Sequence, residues 1–392
     1  MVLALLLASA GGAGAHDPSA YGGLFRSRDL GGTWLNADAG LFLNAALTVA
    51  VDPRDPNHLL MGTDLGLLRS RNGGRGWASE AQGLVVGGVF AVAFAPDGRS
   101  AICAAPSGVF RLGEGGWSRV RAPDGAAPAR AVTFGAAAGR VYLLGRDGLF
   151  VSDDGGETFH RGAEALPAEA EITALAVAPG SSGEVLLAVV GGRLMMSGDG
   201  GDGWSRRDAG LGRAAVDTVA LDPALPGRVW AASADRLYAS DDLGASWRTV
   251  GTPLPEPGTN VRGIAADPGA ETLVATTHRG MYRSEDGGRG WVLREGNLPV
   301  HLESGPLVRV PGDPRTVYAA FSLVPYPEVW RTAVEGGNLL ARTDPVSLAG
   351  GLAFVILLLI GGGLLARWLD RRRGRGGAAR ATAPTTRRRA PT

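Results

Sequence analysis

Lysine is missing altogether, and all 39 basic residues of this 392-residue chain are arginines, a pattern of GC-rich coding. Its absence excludes a phosphate loop of the Gly-x-x-x-x-Gly-Lys type, so the glycine-rich stretches described below are not nucleotide sites. Cysteine is almost as scarce. The single Cys103 lies in the apolar run Ser100 to Ala105, which rules out an intrachain disulfide and argues for a buried structural thiol rather than redox chemistry. The five histidines, His16, His58, His160, His278 and His301, lack the paired spacing of a metal site and are expected as solvated loop residues; no cofactor is expected. A strong overall charge is missing too, the net value being +1, but its distribution is uneven. From Arg367 onward there are nine arginines against one aspartate, and the rest of the chain is acidic. A basic excess confined to a short tail behind an apolar run signals membrane topology, not a nucleic-acid footprint. With 45% hydrophobic residues the chain can bury a substantial core.

Two terminal segments read as targeting devices. Residues 1–15 carry a short apolar run, Leu3 to Ala10, and the small-x-small sequence Ala13-Gly14-Ala15 of a signal-peptidase site, without a basic segment in front. Residues 346–366 are apolar and uncharged, enough at 1.5 Å per residue to cross ~30 Å of hydrocarbon. Arg367, Arg371, Arg372, Arg373 and Arg375 follow at once. The basic tail 367–392 is therefore expected to be disordered and cytoplasmic, the 346–366 helix to span the inner membrane once, and the bulk of the chain to lie outside.

Between these segments one pattern, Ser-x-Asp-x-Gly-x-x-aromatic, recurs. It appears as Ser27-x-Asp29-x-Gly31-x-x-Trp34, Ser152-x-Asp154 to Phe159, Ser197-x-Asp199 to Trp204, Ser240-x-Asp242 to Trp247 and Ser284-x-Asp286 to Trp291. Ser70 to Trp77 repeats it with Asn72 for aspartate; Arg111 to Trp117 and Arg331 to Gly337 read as eroded copies. The serines fall 43 to 45 residues apart, or 82 across an eroded copy, and a period in the low forties is that of a four-stranded propeller blade. Short apolar strands closed by Asp-Pro turns precede several of the motifs, as at Thr48 to Pro53, Thr218 to Pro223 and Gly263 to Pro268. Such inner strands begin near 47, 90, 130, 173, 217, 262 and 306, which predicts one all-β, seven-bladed propeller over residues 21–338. The N-terminal motif has no inner strands of its own and the last unit has inner strands but a decayed motif, so the two ends should share a blade; counting them separately would give eight blades.

These motifs resemble the Asp-box, or BNR repeat, of sialidases, sortilin-type receptors, xyloglucan-cleaving hydrolases and the photosystem II stability and assembly factors. The resemblance implies a structural turn, in which serine and aspartate bond to turn amides and the ring fills the gap between blades. A sialidase would also need an early Arg-Ile-Pro, a substrate-gripping arginine triad and a Tyr nucleophile with a Glu partner, and this sequence lacks the Arg-Ile-Pro and any such Tyr-Glu setting. The single-propeller, exported, protein-binding form is nearest to the photosystem II factors, which lack the C-terminal span seen here. A non-catalytic, membrane-anchored binding or scaffold propeller is therefore expected, with an envelope protein or peptide as partner; the alternative is a divergent glycoside hydrolase or carbohydrate-binding propeller. At the start of each inner strand stand Leu47, Phe90, Arg130, Thr173, Asp217, Arg262 and Pro306. Of these, Arg130, Asp217 and Arg262, with nearby Glu303, are the candidate ligand-binding residues at the mouth of the axial channel.

Overall fold

The structure, a computed structural model, describes residues 22–335 apart from 42, 163–170, 181–182, 213–214, 223–224, 226 and 300–301. The segments expected to act as leader (1–15), membrane span (346–366) and tail (367–392) lie outside the described residues, and among those described no helix is long and apolar enough to cross a membrane.

The described chain forms seven antiparallel sheets of four strands, which excludes the eight-bladed count. Blades 1 to 6 are consecutive: residues 46–80, 91–119, 129–161, 172–206, 216–250 and 261–293. Blade 7 is composite. Its two inner strands, Glu303–Val310 and Asp313–Ser322, pair with Gly23–Ser27 and Leu35–Asn36 from the other end of the chain, in a register that sets Phe25 opposite Ala319. The innermost strands pack one on the next around a closed ring, the seventh against the first. Closure removes the unpaired edges that an open array would present.

The core is a ring of interfaces between blades. Trp230 and Leu237 of blade 5 meet Ile264, Leu273 and Tyr282 of blade 6, and Leu24, Tyr318 and Ala320 of blade 7 meet Val49, Leu59 and Met61 of blade 1. The second strand of every blade is covered on both faces, which is why segments such as Ala101–Ala105 and Val229–Ser233 are buried along their whole length and read as apolar runs rather than alternating ones. His58 belongs to this interior, contrary to expectation. It sits on the second strand of blade 1, its ring 4.8 Å from that of Phe94 and its Nδ1 2.9 Å from Asp52, because the blade 1 to blade 2 interface covers that position.

The repeated turns account for the sequence pattern. Each buried serine hydroxyl accepts the N–H of the glycine four residues on: Gly31, Gly74, Gly156, Gly201, Gly244 and Gly288, at 2.8–3.0 Å. The same hydroxyl donates to the aspartate two residues on, as Ser240 does to Asp242 at 2.6 Å. Those glycines hold φ between +78° and +106°, a range that glycine alone enters at little cost. Three of the indoles donate backward across the blade gap as well as filling it: Trp77 to Ala37, Trp247 to Arg207 and Trp291 to Thr252. Arginines just before or near the turns reach forward: Arg26 to Gly73, Arg111 to Gly155 and Arg283 to Leu30.

Both eroded copies are resolved differently by the fold. Arg111 to Trp117 is a tight hairpin in which Gly113 pairs with Gly116, leaving only Glu114 and Gly115 to turn. Arg331 begins no turn; it lies inside helix α1 (Tyr326–Glu335). The run Glu328 to Glu335 has neither the serine nor the glycine of the motif, and after Pro325 and Pro327 its helix-compatible residues continue unbroken.

Candidate functional site

In each blade the innermost strand starts at one end of the axis, the second returns, and the third runs away again. The turn joining third and fourth strands therefore lies at the far end, and Asp29, Asp154, Asp199, Asp242 and Asp286 are remote from the end where the innermost strands begin. That end is the mouth.

A β-bulge marks the mouth in six blades. The innermost strand shifts register between Ala46 and Thr48, Ala129 and Ala131, Ile172 and Ala174, Val216 and Thr218, Val261 and Gly263, and Ser304 and Leu307. The extra residue is thus Leu47, Arg130, Thr173, Asp217 and Arg262 in turn, with Gly305 and Pro306 in blade 7; Phe90 directly precedes its strand in blade 2. A bulge frees its residue from the ladder and re-aims it, so the same positions that line up in sequence are presented together here.

The four candidate residues differ in electrostatic state. Arg130 pairs with Glu171, and burial lowers its pKa while Glu171 opposes the shift. Arg262 Nη1 lies 2.8 Å from Glu303, a charge contact without hydrogen-bond alignment. Among the described residues Asp217 has no such counter-charge. Burial raises its pKa to about 6 against the N–H bonds from Val261 and Ala234, and its Oδ2 is buried without a hydrogen-bond partner. Among the described residues its charge at the mouth is uncompensated.

Helix α1 crosses this end of the axis, which the sequence pattern did not foreshadow. The chain leaves blade 7 at Ser322, on the mouth side, and turns directly into the helix. Tyr326 donates its N–H to Glu303 at 2.9 Å and its hydroxyl to the Ala46 carbonyl at 2.7 Å, with the Arg262 guanidinium 4.9 Å from its ring centre. Burial pushes the Tyr326 phenol well above its ordinary pKa. One turn on, Trp330 meets Phe90 edge to face at 5.2 Å and takes the Arg130 guanidinium over its ring at 4.2 Å. Ala333 completes the buried stripe. Gly305 is required here, since any side chain at that position would collide with the Tyr326 hydroxyl. Three of the four candidate residues, Arg130, Arg262 and Glu303, are therefore brought together around α1, and no hydrogen bond, ion pair or ring contact among the described residues joins α1 to Asp217. The clue available in the sequence was the pair Tyr326 and Trp330, four apart and so on one helical face, just ahead of the eroded copy Arg331 to Gly337.

Elsewhere the described residues hold no cluster of three or more metal-ligating side chains. The mouth can bind rings against arginine faces and a cation at Asp217, but Glu171 and Glu303 are each engaged by an arginine.

No protein-family model and no curated protein matches the sequence. Solved structures do. YCF48 bound to D1 peptide is similar at 17% identity over 72% of this chain and 94% of that one, with a TM-score of 0.54. YCF48 from Cyanidioschyzon merolae is similar at 17% identity over 74% of this chain and 98% of that one, with the same TM-score of 0.54. The GH74 xyloglucanase from Xanthomonas campestris is similar at 20% identity and a TM-score of 0.54, over 71% of this chain but 53% of the enzyme. At these identities the likeness is one of fold: the chain is a seven-bladed β-propeller.

Proposed function

We propose that this is an Asp-box propeller held outside the cytoplasmic membrane by a single span at 346–366, exported through residues 1–15 and leaving its arginine tail inside, and that it binds an envelope protein without catalysing a reaction. The bulge row carries the reading: it gathers Arg130, Asp217 and Arg262 at one end of a rigid ring while the repeated turns stay at the other. A uniform scaffold with one specialised surface is the design of a binding module. The peptide held by the similar propeller YCF48 favours a peptide segment as the bound element. Asp217 is the group that fits a cationic side chain of such a segment, because pairing would relieve its buried, uncompensated charge.

The test is photocrosslinking from the mouth of the full-length protein in its own membrane, with the crosslinker at Thr173 and a glycan array run in parallel. The reading expects a saturable adduct with one envelope protein, weakened at least tenfold by Asp217→Asn, and a silent array. An adduct indifferent to that substitution, or glycan binding followed by cleavage, overturns it.

A further inference from the structure

We propose that the mouth is a receptor for a short helical peptide with aromatic side chains four residues apart, and that α1 is its resident occupant, displaced when such a partner binds. The inference rests on the peptide-binding reading and names the partner and the regulation of that same site.

The seats define the partner. An arginine free of counter-charge would select a carboxylate, but Arg130 is paired with Glu171 and Arg262 with Glu303. What remains available on each guanidinium is its face, and α1 uses both faces for rings, Trp330 on Arg130 and Tyr326 on Arg262. One turn of helix separates the two rings, so the mouth measures an aromatic-x-x-x-aromatic spacing. Phe90 closes one seat from the side, and the Ala46 carbonyl gives the other an acceptor for a phenol. Asp217 lies beyond the contacts of α1 and suits a basic residue of the incoming peptide.

Helix α1 is suited to leave. Of its ten described residues only Ala333 is fully buried, Tyr326 and Trp330 being half-buried. Its first amide is capped from blade 7, by Glu303 23 residues earlier, rather than by a residue beside it. A helix this short does not persist in water by itself, so its order depends on the mouth. A partner with the same ring spacing and a cation for Asp217 would make every contact of α1 and one more.

The experiment uses the full-length protein in detergent and a fluorescein-labelled peptide with the sequence of residues 324–335 as probe, read by anisotropy. The Tyr326→Ala/Trp330→Ala chain is expected to bind the probe at least tenfold tighter than the parent chain, and adding Arg130→Ala/Arg262→Ala is expected to cost at least tenfold. Equal affinity of parent and double variant overturns the inference, as does absence of binding to a double variant that still melts cooperatively. Should that variant not fold, hydrogen exchange of the parent decides. Saturating unlabelled peptide must speed exchange in 326–335 and leave the blades unchanged, and unaltered exchange in α1 refutes displacement. If the probe fails while the Asp217-dependent crosslink from Thr173 persists, only this inference falls; loss of both removes the peptide-binding reading as well.

Discussion

Replacing Asp217 by asparagine should stabilise the propeller, and only above mildly acidic pH. Burial raises the Asp217 pKa from its ordinary 3.8 to about 6, so the folded state holds a proton that the unfolded chain has already released. Stability changes with pH in proportion to protons bound in the unfolded state minus those bound in the folded one; here that difference is negative between the two values, so the group costs stability as pH rises from about 4 to about 6 and costs its full amount above. The gap corresponds to about 3 kcal/mol as an upper bound. Because the side chain is only partly buried, solvent screening cuts this to roughly 1–2 kcal/mol. Asparagine keeps an acceptor for the Val261 and Ala234 amides and carries no charge. In a domain of this size ~1 kcal/mol moves Tm by about 1–2 °C. Thermal melts of parent and Asp217→Asn should differ by about 1–4 °C at pH 7.5 and converge near pH 4. A variant no more stable at pH 7.5, or an advantage equal at both pH values, would refute the account of Asp217 as an uncompensated charge. The same substitution is expected to weaken partner binding, and a residue whose loss improves the fold but harms binding is kept for function.

The acid limb should have the opposite sign. Hydrogen bonds from the Ser240 hydroxyl, then the Ser246 hydroxyl and amide, hold Asp242 at about 2; at Asp154, burial pushes upward but bonds from Thr158 and Ser152 outweigh it and also give about 2. Asp29, Asp199 and Asp286 are lowered in the same way. Carboxylates depressed in the folded state stabilise it above their ordinary pKa, so Tm is expected to fall as pH drops from about 4 toward 2, and Asp154→Asn should flatten that fall; a Tm unchanged down to pH 2 would count against the turn geometry. Cys103 is fully buried and its thiol pKa is raised by burial, with Glu80 adding to the effect. A thiol reagent should label it at the rate of unfolding, and labelling complete within the mixing time under native conditions would contradict its placement.

The blades were legible because their causes are local. The Ser-x-Asp-x-Gly turn is made by bonds within eight residues, so its period could be counted from the sequence, and the seven-fold total followed, including a last blade shared by 303–322 and 23–36. Arg130, Asp217 and Arg262 could be aligned for the same reason, since each stands at the same step of its repeat. Their states were not legible. Whether an arginine is spent on Glu171 or Glu303, and whether an aspartate has no counter-charge, depends on neighbours up to 41 residues away brought in by the ring. His58 misled for that reason too, its environment being set by the adjoining blade. Helix α1 is the clearest case: Tyr326 reaches the carbonyl of Ala46, 280 residues earlier, and that contact exists only because the ring closes and returns the chain to its own mouth. The sequence by itself determined the repeat, the blade count and the positions at the mouth, because local turns and strand periodicity carry them; the tertiary structure alone decided which charges are compensated and what lies across the axis, because burial and pairing are properties of the closed ring.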